Sequence, residues 1–235
     1  MKSKILGLVA VGLLAGPMAA NATLVSWLLQ GQIDTVTGGL PAVIVPGASF
    51  SFILHFDTAT PVSNPNGCGA GGAGTVCRHN DAPIATQYFS DIKIGSGNFG
   101  NFFANANTGN SITVRNNATD FPDPGFTDAI DGYSFGTRNT NVADGEFVQL
   151  LVIFRGPEDL GLVTDGRLLP ANPPASLLSL RSHYFQLCDA TAAGQCTYGN
   201  VIGTFTSVTR VPEPGTLALL GLGLAGLGLS RRRKA

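Results

Sequence analysis

The sequence predicts an all-β fold, an antiparallel β-sandwich or jelly-roll-like domain followed by a terminal hydrophobic helix. Two observations carry this. Apolar residues alternate with polar ones in short runs, the period-two signature of a half-buried strand. Breakers are dense, with 31 Gly and 14 Pro in 235 residues, which excludes a helical bundle or coiled coil. Apolar residues make up 44% of the chain, enough for a core and too many for a disordered chain.

Residues 1–22 read as a signal peptide. Lys2 and Lys4 precede the apolar run Ile5 to Gly16, and Ala20-Asn21-Ala22 gives the small-x-small pattern that a signal peptidase accepts. The mature chain then starts at Thr23, in an oxidising compartment where disulfides persist. The domain is expected to span residues 23–210. Between Thr23 and Arg210 stand 8 basic and 14 acidic residues, a net charge of −6. An acidic body without a basic stripe argues against nucleic acid as a partner.

Ser49 to Asp57, SFSFILHFD, is the clearest strand. Phe50, Phe52, Leu54 and Phe56 share one face, and Ser49, Ser51, His55 and Asp57 the other. Glu146 to Arg155 is apolar on nearly both faces and reads as a central strand covered on both sides. Weaker strands are Leu24–Gln30, Gln87–Ile94, Ser111–Arg115, Tyr133–Thr137, His183–Cys188 and Val201–Thr209. Asp131-Gly132, Asp144-Gly145 and Asp165-Gly166 read as turns. Ala175 to Arg181 is a short helix or another strand. Residues 58–85 are rich in Pro, Gly and Asn and read as a surface loop outside the core.

The four cysteines, Cys68, Cys77, Cys188 and Cys196, fall into two local pairs with eight and seven intervening residues. Four cysteines allow three connectivities; the local one, Cys68–Cys77 with Cys188–Cys196, closes the shortest loops. Each such staple is worth about 2–3 kcal/mol in the chain-entropy model. A metal site on Cys68, Cys77 and His79 is not expected, because the spacing is too wide for a CxxC knuckle.

No cofactor is expected. Gly69-Gly71-Gly74, Gly95-Gly97-Gly100 and Gly221-Gly223-Gly226 match GxGxxG, but none lies between a strand and a helix with an acid downstream. Ser51, His55 and Asp57 imitate a hydrolase triad on one strand face. Four residues of strand span about 13 Å, so Ser51 cannot reach His55, and the chain reads as no enzyme. Asp120, Asp123, Asp128 and Asp131 are the only calcium candidates. They lack EF-hand spacing, and Asp-Pro and Asp-Gly are ordinary turn formers, so no metal is expected.

Residues 211–235 have three parts: Pro212-Glu213-Pro214; an apolar run from Thr216 to Ser230; and a basic end, Arg231, Arg232, Arg233 and Lys234. The run spans about 22 Å as a helix against a hydrocarbon core of about 30 Å, marginal for a permanent span. The basic cluster would stay cytoplasmic as a stop. This tail resembles the PEP-CTERM sorting signal of Gram-negative bacteria, and the resemblance is confined to it. It implies an exosortase as processing partner, export across the inner membrane, a membrane-anchored precursor, and delivery to the cell surface or extracellular matrix. For the domain, the expectation is a structural or adhesive role in an exopolysaccharide or biofilm matrix. The rivals are a carbohydrate-binding module, with Trp27, Tyr88 or Tyr133 stacking on sugars, and a polysaccharide hydrolase or lyase.

Overall fold

A computed structural model describes residues 24–38, 40–63, 68, 75–81, 87–102, 110–118, 130–138, 147–157, 160, 162–189 and 199–212. Ten strands follow in order: β1 (Leu24–Gly38), β2 (Ser49–Asp57), β3 (Thr75–Asp81), β4 (Tyr88–Ile94), β5 (Gly97–Phe102), β6 (Asn110–Ala118), β7 (Ile130–Arg138), β8 (Phe147–Pro157), β9 (Ser182–Asp189) and β10 (Gly199–Val211). All ten join one antiparallel sheet, ordered β3-β6-β7-β8-β9-β10-β1-β2-β4-β5. The all-β, antiparallel expectation therefore holds. The ten strands form one continuous sheet, and it curls. The expected terminal helix lies outside the described residues.

The curl follows from ring distances. β1 and β7 are four strand positions apart, about 19 Å in a flat sheet. Yet the rings of Trp27 on β1 and Phe135 on β7 are 5.6 Å apart. Phe56 on β2, one strand further away, is 4.9 Å from Phe135. The isolated bridge between Val62, just after β2, and His79 on the edge strand β3 draws the two sides together. The cause lies in the alternation. Val25, Trp27, Leu29 and Ile33 on β1, and Phe50, Phe52, Leu54 and Phe56 on β2, are at most 3% exposed. A ten-stranded sheet with one apolar face buries that face by folding it onto itself.

Phe50, Phe52, Phe185 and Phe205 pack together, with centroids 4.4 to 6.3 Å apart. This packing needs two glycines. A Cβ on Gly31 would stand 2.0 Å from the Thr204 carbonyl oxygen and 2.6 Å from the Phe50 ring. A Cβ on Gly203 would stand 2.5 Å from Phe185 and 2.8 Å from the Gln32 carbonyl oxygen.

Several sequence expectations change here. β3 falls inside the stretch expected to be a surface loop, and its Cys77 and His79 are buried. β5, GNFGNF, has too little alternation to be read as a strand; it forms because Gly95 (φ +56) opens a tight turn after β4. Asp131-Gly132 lies within β7 rather than in a turn. Ala175–Arg181 forms bends and turns, not a helix or strand. β8 is central as expected, and Ile153 and Arg155 on its outer side are also buried.

Replacing Gly31 with Ala should destabilise the domain by about 3 kcal/mol, the upper end for overpacking, because a strand carbonyl blocks the added methyl. Urea unfolding measures this; a midpoint equal to wild type would mean that β1 and β10 do not approach this closely.

Candidate functional site

The two ends of the domain meet. β1 and β10 pair through twelve register positions, with Ser26 opposite Val211 and Trp27 opposite Arg210. The last strand of the domain therefore ends beside the start of the first. Pro212 directly follows β10 and is exposed. It lacks the N–H that would continue the ladder, so the strand stops there. Arg210 donates from Nη1 to Asn172 Oδ1 at 3.3 Å, tying this end to the segment between β8 and β9. Glu213, Pro214, Arg231, Arg232, Arg233 and Lys234 lie outside the described residues, as do Ala20, Ala22 and Thr23.

That segment closes the open end of the curled sheet. Val163, Leu169 and Leu180 enter the core. Val163 donates its N–H to the Asp131 carboxylate at 3.2 Å, and the Tyr133 hydroxyl donates to the Leu162 carbonyl. Burial, with Asp131 adding to it, pushes the Tyr133 hydroxyl far above its ordinary pKa. The His79 ring lies between the carbonyls of Thr60, 2.9 Å away, and Gly166, 3.2 Å away. Asp131 is thus 1% exposed and engaged in closure; Asp120, Asp123 and Asp128 lie outside the described residues. A cleft of about 270 Å³ opens beside this closure, lined by Tyr133, Leu162, Asn172, Pro173 and Ser176 among others. It is smaller than most small-molecule pockets.

Cys68 and Cys77 form a disulfide, as the local pairing predicts. Joined sulfurs leave no thiolate for a metal. The Cys68 carbonyl also accepts from Arg167 Nη2 at 3.1 Å, so the staple holds the closing segment too. Cys188 is disulfide-bonded; its expected partner Cys196 lies outside the described residues. Among the described residues no group of three or more His, Cys, Asp or Glu could hold a metal ion.

His55 sits on the outer face of the sheet. One ring nitrogen is 2.8 Å from Ser26 Oγ on β1 and the other 2.8 Å from Ser90 Oγ on β4. Its ring stacks on Tyr88 at 4.2 Å. Neither Ser51 nor Asp57 is among these partners, and Asp57 Oδ1 instead accepts the Ala59 N–H in a turn. Both serines come from neighbouring strands, where within-strand spacing gives no hint of them; only the register, Ser26 opposite His55, brings them in. A neutral imidazole accepts one hydroxyl proton and donates its own to the other. Partial burial lowers the His55 pKa, with the Asp91 charge opposing. A hydroxyl stands where a hydrolase triad places its carboxylate. The aromatic residues considered for sugar stacking are committed elsewhere: Trp27 is 0% and Tyr133 7% exposed, and Tyr88 covers His55. Gly95, Gly97 and Gly100 belong to the β4–β5 hairpin rather than to a phosphate loop.

The lowered His55 pKa sets a pH dependence. Burial lowers the His183 pKa as well. As pH falls below the free-imidazole value of about 6.5, the unfolded chain takes up protons that the folded chain resists, so stability drops through the lowered folded values. Urea midpoints should therefore fall from about pH 7 to about pH 5.5. His55→Gln should remove part of the slope, and His55→Gln with His183→Gln more of it. A variant slope equal to wild type would show that the folded imidazole titrates normally.

No curated protein and no solved structure matches this chain. A family model, the PEP-CTERM protein-sorting motif, matches residues 210–234, beginning on the last two residues of β10. This motif implies exosortase-dependent export and surface sorting, with an exosortase as processing partner. The chain carries a PEP-CTERM protein-sorting motif at its C-terminal end.

Proposed function

We propose that the chain is an exported structural or adhesive protein of the exopolysaccharide or biofilm matrix. It is held at the membrane by residues 216–230 as a precursor, and an exosortase removes its tail. Signal peptidase acts first, between Ala22 and Thr23. Among the described residues no helix is long and apolar enough to cross a membrane; the apolar run that would do so lies beyond them. The observation that carries the reading is the placement of the motif, directly after a strand that closes the fold. Removal of everything beyond Pro212 takes no ladder partner from β1.

A scaffold role fits the division of faces. The inner face is aromatic, and the outer face presents hydroxyls and amides such as Ser51, Gln30, Gln32 and Thr206. Groups of this kind hydrogen-bond readily to sugar hydroxyls along an extended surface. A carbohydrate-binding module is the second reading. It is weaker because Trp27 and Tyr133 are buried and Tyr88 stacks on His55. Catalysis on polysaccharide is weaker again, since both His55 nitrogens are engaged by hydroxyls.

Glu213→Ala should leave a full-length, membrane-retained precursor in a host with an exosortase, and should behave as wild type in a host without one. Intact mass and fractionation in both hosts test this. A wild-type surface protein that keeps Arg231 to Ala235 in its native host would overturn processing and leave a simple anchor. Binding of the processed protein to the host's exopolysaccharide, compared with binding to isolated glycans, separates the matrix role from the module.

A further inference from the structure

The segment between β8 and β9 has two sides. Val163, Leu169 and Leu180, 5 to 7% exposed, plug the curled sheet. Leu168 and Leu178 are 64% and 97% exposed, and Leu160, 37% exposed, lines the cleft beside Tyr133. Leucines this open are costly in water and call for an apolar partner when they gather at one end. Leu24, 39% exposed, adds to them at the start of β1.

The same end releases both apolar runs of the chain. β1 begins there and β10 ends there, and Arg210 bonds to Asn172 within the plug. Only Pro212, Glu213, Pro214 and Gly215 separate β10 from the run at Thr216. Fully extended, the link from Val211 to Thr216 reaches about 17 Å. With that run in the bilayer, the end of β10, bonded to the plug through Arg210 and Asn172, cannot stand further off than this, and each interfacial layer is itself several ångströms thick.

We infer that the plug is a lipid-docking surface: while the precursor is tethered, Leu168 and Leu178 enter the headgroup region of the bilayer. This rests on the reading of residues 216–230 as the precursor's membrane anchor. Burial of exposed leucines then holds the domain upright on the membrane. Val43 and Val45, 36% and 48% exposed, lie between β1 and β2 at the opposite end, facing away. Tail removal would release the domain with only a few leucines holding it, weak enough for it to leave the membrane.

The test uses the full chain with Leu178→Trp or Val45→Trp, reconstituted with phosphatidylethanolamine and phosphatidylglycerol vesicles carrying brominated acyl chains. Both positions are open, so neither change touches the core. Added emission, measured against wild type to remove Trp27, should be strongly quenched for Leu178→Trp and nearly unchanged for Val45→Trp. A chain that floats with the vesicles but is quenched at neither position overturns docking and leaves the anchor standing. Equal quenching at both positions overturns the upright orientation. A chain that does not float overturns the anchor and the docking with it.

Discussion

The pairing of β1 with β10 is the constraint on which the rest depends. It joins the first and last strands of the domain through twelve register positions. Without it, β2, β4 and β5 with β1 would form one small sheet, and β6 to β10 with β3 another. Each would leave an apolar face in water. The union places Trp27 at the centre, edge-on to Phe56, Phe135 and Phe154 at 5.1, 5.6 and 6.1 Å. Such contacts contribute about 0.5–1.5 kcal/mol each. They offset the buried indole N–H, which has no hydrogen-bond partner among the described residues and costs about 1–3 kcal/mol. Because the pairing joins distant parts of the chain, the fold belongs to the slow, non-local class.

Closing a curled sheet leaves an open end, and polar groups inside the domain secure the segment that fills it. Asp131, His79 and Tyr133 are buried yet each meets a backbone group of residues 162–166. A loop laid across an apolar opening carries backbone N–H and C=O groups that water no longer reaches. The strands supply side-chain partners to them. The disulfide works at the same place, since Cys68 is both joined to β3 and bonded through its carbonyl to Arg167.

What was legible in the sequence was whatever alternation alone determines. β2 has its predicted bounds, and its Phe50, Phe52, Leu54 and Phe56 face inward as the period demands. The weaker strands appear too, mostly longer, because ladder partners extend a strand beyond its apolar run: β10 reaches Val211 only because Ser26 lies opposite. β3 was hidden. Thr75 to Asp81 contains only two apolar residues, and its place comes from bonding to β6 and from the buried disulfide. The curl was hidden for the same reason, since period two says which side is apolar and not what it meets. At His55 the sequence excludes Ser51 by distance, but Ser26 and Ser90 stand 29 and 35 residues away. Asp131 shows the converse: an Asp-Gly pair is ordinary turn chemistry until tertiary contacts claim it.

The border between the domain and its tail follows from the chemistry of one residue. A thirteen-residue strand could continue while its partner offers a carbonyl, but Pro212 has no N–H to give and fixes its own φ. The ladder therefore ends at Val211, and Pro214 disfavours helical geometry at Glu213 before it. β10 is paired with β1 as far as Val211, so this ladder is complete with Pro212 alone between it and Glu213. Among the described residues, no rung of the β1–β10 ladder lies beyond Val211. The two functions, a stable exported domain and a removable address, share a boundary one residue wide.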